Sequence, residues 1–190
     1  MKNLIYTIII LIIFFAISCG KKITDADRFA LREKGNSISL KLQTKLLEEL
    51  QASITANGAA NSIDKCSLKS PEIEKLISEN ENAIIRRVSD NYRNPAHKPT
   101  QDEQNSITLW KLELEKGNKD LFPMTVESED GIQYMKPIII SSPTCLKCHG
   151  KENEIEPETL KKIKEKYPED KATGYEMGQL RGAITIFWKK

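Results

Sequence analysis

The apolar residues in one segment near the N-terminus of the chain repeat at helical spacing. Over residues 27–57 they recur four or seven positions apart, at Leu31, Ile38, Leu42, Leu46, Leu50 and Ile54. Residues at these intervals lie on one face of an α-helix, and such a face usually packs against the core. The pattern therefore predicts one long amphipathic helix, which Gly58 ends.

Shorter helical patterns follow. Residues 59–66 predict a short helix that carries Cys66 near its end. A cap, a first-position proline and a first-turn acid at residues 70–72 predict the start of another helix, to about residue 78. Residues 101–116 form an amphipathic pattern through Ile107, Trp110, Leu112 and Leu114, and residues 157–166 form a charged one.

The strand patterns predict a sheet built mostly from the last third of the chain. Residues 122–126 and 132–140 flank an Asp-Gly turn, which predicts a β-hairpin. Two further strands are predicted over residues 83–89 and 181–188. The segments rich in turn residues, 91–100 and 167–178, are predicted loops. Helices followed by mostly antiparallel strands predict an α+β domain.

The N-terminus has the pattern of an export signal. Lys2 precedes an apolar run over residues 4–17, and Ser18 and Cys19 follow. A cation, a short apolar stretch and small residues before a cleavage site characterise such signals. The run is shorter than the roughly 20 apolar residues of a membrane-spanning helix.

Because Cys19 directly follows Ala-Ile-Ser, the segment resembles the cleavage site of a bacterial lipoprotein. We predict a signal peptide over residues 1–18, a lipidated tether over residues 19–26 and a single folded domain over residues 27–190. Acylated Cys19 would anchor the chain to membrane lipid in the cell envelope, with the domain facing the periplasm. An uncleaved anchor is the alternative.

Composition excludes one class of partner. The 190-residue chain is 39% hydrophobic and 29% charged, with a formal net charge of +2, as in many soluble domains. Only 6% of the residues are aromatic, and no basic stretch is interleaved with them. Nucleic-acid platforms combine both features, so we expect no nucleic-acid partner.

The cysteines carry the candidate chemistry. Cys145, Cys148 and His149 form the sequence C-x-x-C-H, the attachment motif of haem c. On a helical turn, positions three and four apart share a face, so both sulfurs and the imidazole can reach the same ligand. We predict one covalent haem on the two cysteines, with His149 as an iron ligand.

Two alternatives use the same cysteines. A redox dithiol of thioredoxin type is expected within a βαβ pattern, which this sequence lacks. A structural zinc site needs four nitrogen or sulfur ligands, which Cys66, Cys145, Cys148 and one of the two histidines can supply. A histidine directly after the second cysteine, in an exported chain, favours haem over both.

The second iron ligand has several candidates. Cys66 is left over once lipid and haem are assigned, and burial, an intermolecular disulfide or a metal would explain it. His97 lies in a polar loop. An open or water-bound position and the methionines Met124, Met135 and Met177 complete the set. A methionine ligand raises the reduction potential, whereas an anionic thiolate favours ferric iron and lowers it.

Several short strings along the chain resemble those of a known family. They lie, in order, at residues 63–67, 87–89, 93–96, 134–138, 145–150, 167–168, 170–175 and 180–183. Together they resemble a family of single-haem c-type proteins long catalogued as a domain of unknown function. That family occurs in cyanobacteria and other bacteria, as exported proteins and as the outer domain of sensor kinases. The resemblance covers about residues 30–188.

The resemblance implies a PAS-like α+β fold, with an antiparallel sheet flanked by helices. It also implies iron held by a histidine on one side and a cysteine thiolate on the other, here His149 and Cys66. The chain departs from many relatives at His97, which is a further candidate ligand or a residue at the rim of the site. Guanidinium groups pair well with carboxylates, so candidate propionate partners are Arg86, Arg87 and Arg181.

These features predict a haem protein that is not an enzyme, because the sequence supplies no evident distal acid–base pair for peroxidase chemistry. The first hypothesis is a redox or gas sensor in which a bond between iron and Cys66 depends on oxidation state. The alternative is a one-electron carrier between envelope redox proteins. Either function requires a separate redox or signalling partner.

Overall fold

The structure, a computed structural model, describes residues 24–190. The predicted signal peptide, Cys19 and the tether up to residue 23 lie outside the described residues, and the predicted boundaries at residues 18 and 26 stay predictions. Residues 31–190 form one compact unit. Among residues 24–190, no helix is both long and apolar enough to cross a bilayer.

The first helix, α1, spans Asp25–Glu81 and is interrupted at Gly58. Gly58 has φ of +76°, a left-handed conformation that glycine adopts without steric cost. The predicted long helix and its end at Gly58 are therefore confirmed.

The predicted new helix start at Ser70 is wrong, because helical structure continues through Pro71. An internal proline costs about 3 kcal/mol or more. Ile63 and Ile77, on either side of it, are 6% and 1% exposed. Burial of such side chains contributes about 1.5–3 kcal/mol each. The packing of a continuous helix therefore offsets the cost of the internal proline, and the local start signal is overridden.

The strands confirm the predicted sheet. They are β1 Ile84–Val88, β2 Met124–Glu127, β3 Gly131–Ile139 and β4 Leu180–Lys189. They form one antiparallel sheet in the order β1-β4-β3-β2. The predicted loops are present, and a short 3₁₀ turn, Pro95–His97, lies in the first of them.

Three further helices complete the domain: α2 Gln101–Glu115, α3 Pro143–His149 and α4 Pro157–Lys166. A capping box begins α2, because Thr100 accepts a hydrogen bond from the backbone N–H of Glu103 while the Glu103 carboxylate accepts one from the backbone N–H of Thr100. The α+β class, the antiparallel sheet flanked by helices and the long N-terminal helix are all confirmed.

Each face of the sheet packs against a different helix. One cluster joins α1 to the sheet through Ile38, Leu42, Ile77, Ile85, Tyr134, Ile184 and Ile186. The other joins α2 to the opposite face through Val88, Ile107, Trp110, Met135, Leu180 and Ala183. Successive strand residues point to opposite faces, which is why Ile184 and Ala183 belong to different clusters.

Candidate haem site

The C-x-x-C-H motif lies on a single short helix, α3. Ser142 caps it by accepting a hydrogen bond from the backbone N–H of Thr144 at 3.2 Å, and Pro143 occupies the first turn. The helix ends at Gly150, whose N–H donates to the Leu146 carbonyl at 2.9 Å. Local sequence thus produces the predicted short turn that carries both cysteines and the histidine.

The imidazole of His149 is held through one nitrogen. Its Nδ1 lies 2.7 Å from the carbonyl oxygen of Ala172. A carbonyl only accepts hydrogen bonds, so Nδ1 must carry the proton, and in the neutral ring the lone pair is on Nε2. Burial, followed by the charges of Arg181 and Arg93, lowers the pKa of His149 well below its usual value. The side chain is therefore neutral at neutral pH, in the form that binds a metal.

Residues 170–175 lie against the C-terminal end of α3. The N–H of Tyr175 donates to the His149 carbonyl at 2.9 Å, and the N–H of Gly174 donates to the Gly150 carbonyl at 2.8 Å. The ring centroid of Tyr175 lies 6.3 Å from that of His149, edge to face. This segment belongs to the predicted loop 167–178, and the backbone contacts that organise it are not readable from sequence.

Arg93 is a site residue that sequence reasoning missed. It lies in the loop between β1 and α2, yet its Nη2 donates to the carbonyl of Cys148 at 2.6 Å and its Nε to Asp170 at 3.0 Å. Both Arg93 and Asp170 fall within strings that carry the family resemblance. That coincidence is the one sequence signal for them, and it assigned them no role.

Cys66 lies on α1, is partly buried and is a free thiol. Burial raises the pKa of the Cys66 thiol, while the nearby charge of Arg87 lowers it. Cys66 also acts electrostatically on Cys148, contributing to the raised pKa of that thiol, whose largest cause is burial. The fold thus brings Cys66 within electrostatic reach of Cys148, and its role as an iron ligand stays a prediction.

Two of the three candidate propionate partners lie around the motif. Arg181 Nη1 donates to Ser89 Oγ at 2.9 Å and to the Asn91 carbonyl at 3.1 Å. Arg87 Nε donates to Glu74 Oε1 at 2.6 Å. Both arginines contribute to the lowered pKa of His149, which places their charges near the imidazole.

Arg86, the third candidate, extends from the opposite face of β1. Its Nη2 donates to Glu103 of α2 at 2.5 Å and to the Lys98 carbonyl at 3.2 Å. Neighbouring strand residues alternate between faces, so Arg86 and Arg87 serve different sides of the sheet. The structure does not place Arg86 beside His149.

The remaining candidate ligands occupy distinct places. His97 lies in the 3₁₀ turn with Nε2 3.9 Å from Glu74 Oε2, and burial lowers its pKa to about 4. Met135 is 1% exposed in the cluster beneath α2, and Met124 packs against that cluster. Met177 is 48% exposed. The two strand methionines serve as core, whereas a ligand role of His97 stays a prediction.

The side chains near His149 fit a haem. Within residues 24–190, Tyr175 Oη and Arg181 Nε are buried and have no hydrogen-bond partner. The Arg181 guanidinium lies 5.4 Å from the Tyr175 ring centroid. Both atoms are donors, and burying an unpaired donor is costly, so an acceptor such as a propionate carboxylate suits this position. Two thiols, one imidazole and these donors match the groups of haem c.

The zinc alternative gains no support from the geometry. A structural zinc site gathers four ligands. In the part of the chain that the structure describes, no three His, Cys, Asp or Glu side chains converge on a common point. Cys66, Cys145 and Cys148 form no disulfide, which leaves their sulfurs available for another bond.

Comparison with known proteins gives two matches. The family model described as Tll0287-like: Tll0287 matches residues 24–188. Among solved structures, the chain is similar to the crystal structure of the cyanobacterial heme-protein Tll0287. The identity is 24% and the TM-score 0.57, over 80% of this chain and 94% of that chain, a likeness in fold. A search of curated proteins found no match.

Proposed function

This chain belongs to the Tll0287-like family, and from that membership we propose that it is a c-type haem protein with one haem on Cys145 and Cys148. The family match confirms the resemblance seen in the sequence. The observation that carries the proposal is the geometry of α3. Both cysteines and His149 share one short helix, and the Ala172 carbonyl holds Nδ1 so that the Nε2 lone pair is available to iron.

We propose His149 and Cys66 as the two iron ligands. Cys66 is supported by its electrostatic proximity to Cys148. Burial, the larger effect, raises the pKa of the Cys66 thiol, and the charge of Arg87 opposes that shift. When bound, the haem supplies a one-electron iron couple. The protein's contribution is to orient the imidazole, to supply an anionic sulfur and to pair the propionates with Arg181 and Arg87.

We further propose a sensor of redox state or of a diatomic gas, anchored by lipid on Cys19 and facing the periplasm, without enzymatic turnover. An anionic thiolate binds ferric iron better than ferrous iron, so reduction weakens this ligand. Cys66 is part of α1, and Ile77 of the same helix packs against the sheet. Loss of the iron–sulfur bond would therefore act on a helix that belongs to the core.

A one-electron carrier is the second candidate. His149 is held at both Nδ1 and its carbonyl, and such a rigid ligand favours low reorganisation on electron transfer.

Haem attachment is tested by producing the chain with a cytochrome c maturation system and measuring its intact mass. We expect the added mass of one haem on the wild-type chain and none on the Cys145→Ala/Cys148→Ala variant. The Cys66→Ala variant serves as the matched control, since it should keep the covalent haem. A colourless wild-type protein with no added mass would overturn the proposal.

The second ligand is tested by absorption and EPR spectroscopy of the ferric protein. Cys66→Ala should lose the low-spin thiolate spectrum, whereas His97→Asn should leave it unchanged. An unaltered Cys66→Ala spectrum excludes Cys66, and a changed His97→Asn spectrum assigns the position to His97.

Sensor and carrier are separated by carbon monoxide binding to the reduced protein. A sensor should bind the gas, because reduction releases Cys66. A carrier should stay six-coordinate and exchange electrons rapidly with a second copy. For the anchor, Cys19→Ala should abolish labelling by radioactive fatty acid and release the protein from membranes.

A further inference from the structure

Arg93 joins three parts of the chain that are distant in sequence. From the loop after β1, its Nη2 donates to the Cys148 carbonyl at 2.6 Å, in the last turn of α3. The same guanidinium donates to both carboxylate oxygens of Asp170, at 3.0 and 3.3 Å. Its Nη2 also lies 3.5 Å from the Ala172 carbonyl. One side chain therefore contacts both the motif helix α3 and the segment 170–172 that lies against the C-terminal end of that helix.

This ion pair is shielded from water. The side chains of Arg93 and Asp170 are 12% and 8% exposed. Fork-like pairing of a guanidinium with a carboxylate gives geometric specificity as well as attraction. Removing one partner of a buried pair leaves an uncompensated charge, which is strongly destabilising. The guanidinium also lies at the C-terminal end of α3, where unpaired carbonyls favour a positive charge.

A continuous chain of hydrogen bonds leads from this pair to the imidazole. Asp170 Oδ1 accepts from the backbone N–H of Ala172 at 3.1 Å. The carbonyl of that same residue accepts from His149 Nδ1 at 2.7 Å. The carboxylate thus fixes the position of Ala172, and the Ala172 carbonyl fixes the ring.

We propose that Arg93 and Asp170 are positioning residues that hold the His149 ring in one orientation and one tautomer, and thereby tune its bond to iron. This inference rests on the proposed function. A strong hydrogen bond from the distant ring nitrogen makes an imidazole a better electron donor and fixes its orientation. A better donor stabilises ferric iron. Loosening the pair should therefore raise the reduction potential.

The test compares Asp170→Asn with the wild type, both loaded with haem. We expect a shift of the midpoint potential to higher values. We also expect a broadened low-spin EPR signal, because a ring that is less firmly held adopts several orientations. Arg93→Lys keeps the charge and loses the fork, so it should give a smaller shift in the same direction.

The control is a second guanidinium–carboxylate pair that does not contact the motif. Arg86 of β1 and Glu103 in the first turn of α2 pair at 2.5 Å, and the Glu103 side chain is 3% exposed. Glu103→Gln should lower the thermal unfolding midpoint and leave potential and EPR signal unchanged. If Asp170→Asn affects stability alone, or if both variants shift the iron signals equally, the positioning role is wrong.

A haem-free measurement separates this inference from the proposed function. Nitrogen-15 NMR of the unloaded chain should show His149 as the single tautomer protonated at Nδ1. In Asp170→Asn it should show a mixture of tautomers. A single tautomer in both proteins overturns the inference, whereas a wild-type chain that takes up no haem overturns the proposed function.

Discussion

The two faces of the sheet and the motif helix are stabilised by different forces. Trp110 and Tyr134, one on each face, are 1% and 0% exposed and belong to contiguous apolar clusters. By contrast, the seven residues of α3 are exposed or only partly buried, and none is fully buried. The motif helix is held instead by the Ser142 cap, by Arg93 and by backbone hydrogen bonds to residues 174–175.

The difference shows which part of the molecule needs a ligand. Apolar burial scales with the area removed from water and requires no partner beyond the chain itself. Hydrogen bonds contribute only about 1 kcal/mol each on balance, so α3 is oriented by them without being strongly stabilised. We therefore expect the sheet core to fold independently and α3 to gain its stability from the haem.

The largest expected effect is a truncation in the core. Trp110 fills the cluster beneath α2, and its Nε1 donates to the Phe122 carbonyl at 3.0 Å. Trp110→Ala should lower the free energy of unfolding by about 3–5 kcal/mol, as large-to-small core changes do. Urea denaturation of the haem-free chain measures it. Trp110→Phe is the control and should cost less, since most of the volume remains. A cost of Trp110→Ala below about 1 kcal/mol, the scale of that one hydrogen bond, would contradict the assignment of this cluster as core.

Adding a methyl group at the other face should have a smaller effect. A Cβ on Gly35 of α1 would lie 2.5 Å from the Tyr134 ring. That ring is fully buried, and its hydroxyl donates to Asn36 Oδ1 at 2.7 Å, so it cannot move aside freely. Gly35→Ala should destabilise by about 1–3 kcal/mol, although alanine is the better helix former.

Exposed Ser37 in the same helix provides the comparison. Ser37→Ala should be neutral or slightly stabilising in the same denaturation experiment. If Gly35→Ala were stabilising as well, α1 would not approach the sheet as closely as described.

Haem attachment should affect the two regions unequally. Hydrogen exchange reports local opening. In the haem-loaded protein, the amides of α3 should exchange at least about tenfold more slowly than in the unloaded chain, which corresponds to about 1.4 kcal/mol in the free energy of local opening. The exchange rates of the amides of β3 and β4 should change little. The Cys145→Ala/Cys148→Ala chain should match the unloaded wild type. Equal protection of strands and α3 would mean that the domain opens as one unit.

The smallest effect concerns two helix caps of the same kind. Thr100 caps α2 and Ser142 caps α3. Thr100→Ala should cost about 1 kcal/mol of global stability, as cap removal typically does. Ser142→Ala should cost less in the haem-free chain, because α3 opens before the core unfolds. Equal costs for the two caps by chemical denaturation would remove the distinction between the regions.

Local patterns predicted most of the fold. The capping signals, the Asp-Gly turn and the alternation along the strands placed every strand end within two residues of its observed position. Gly58 was correctly identified as a helix end. The helix start predicted from Pro71 was wrong, because a start signal is local, whereas the burial of Ile63 and Ile77 depends on the packing of α1 against other elements. The structure does not support Arg86 as a propionate partner for a related reason. Both faces of β1 are covered, and the sequence does not indicate which face lies toward the motif.

The sequence by itself determined the geometry of residues 145–149, because positions three and four apart share a face of any helical turn. The tertiary structure alone decided what surrounds that turn. Arg93 and the Ala172 carbonyl reach it from loops whose paths follow from how the sheet and helices pack, and Cys66 approaches it from α1. Contacts within a turn follow from backbone geometry, whereas contacts between distant segments exist only once the core has formed.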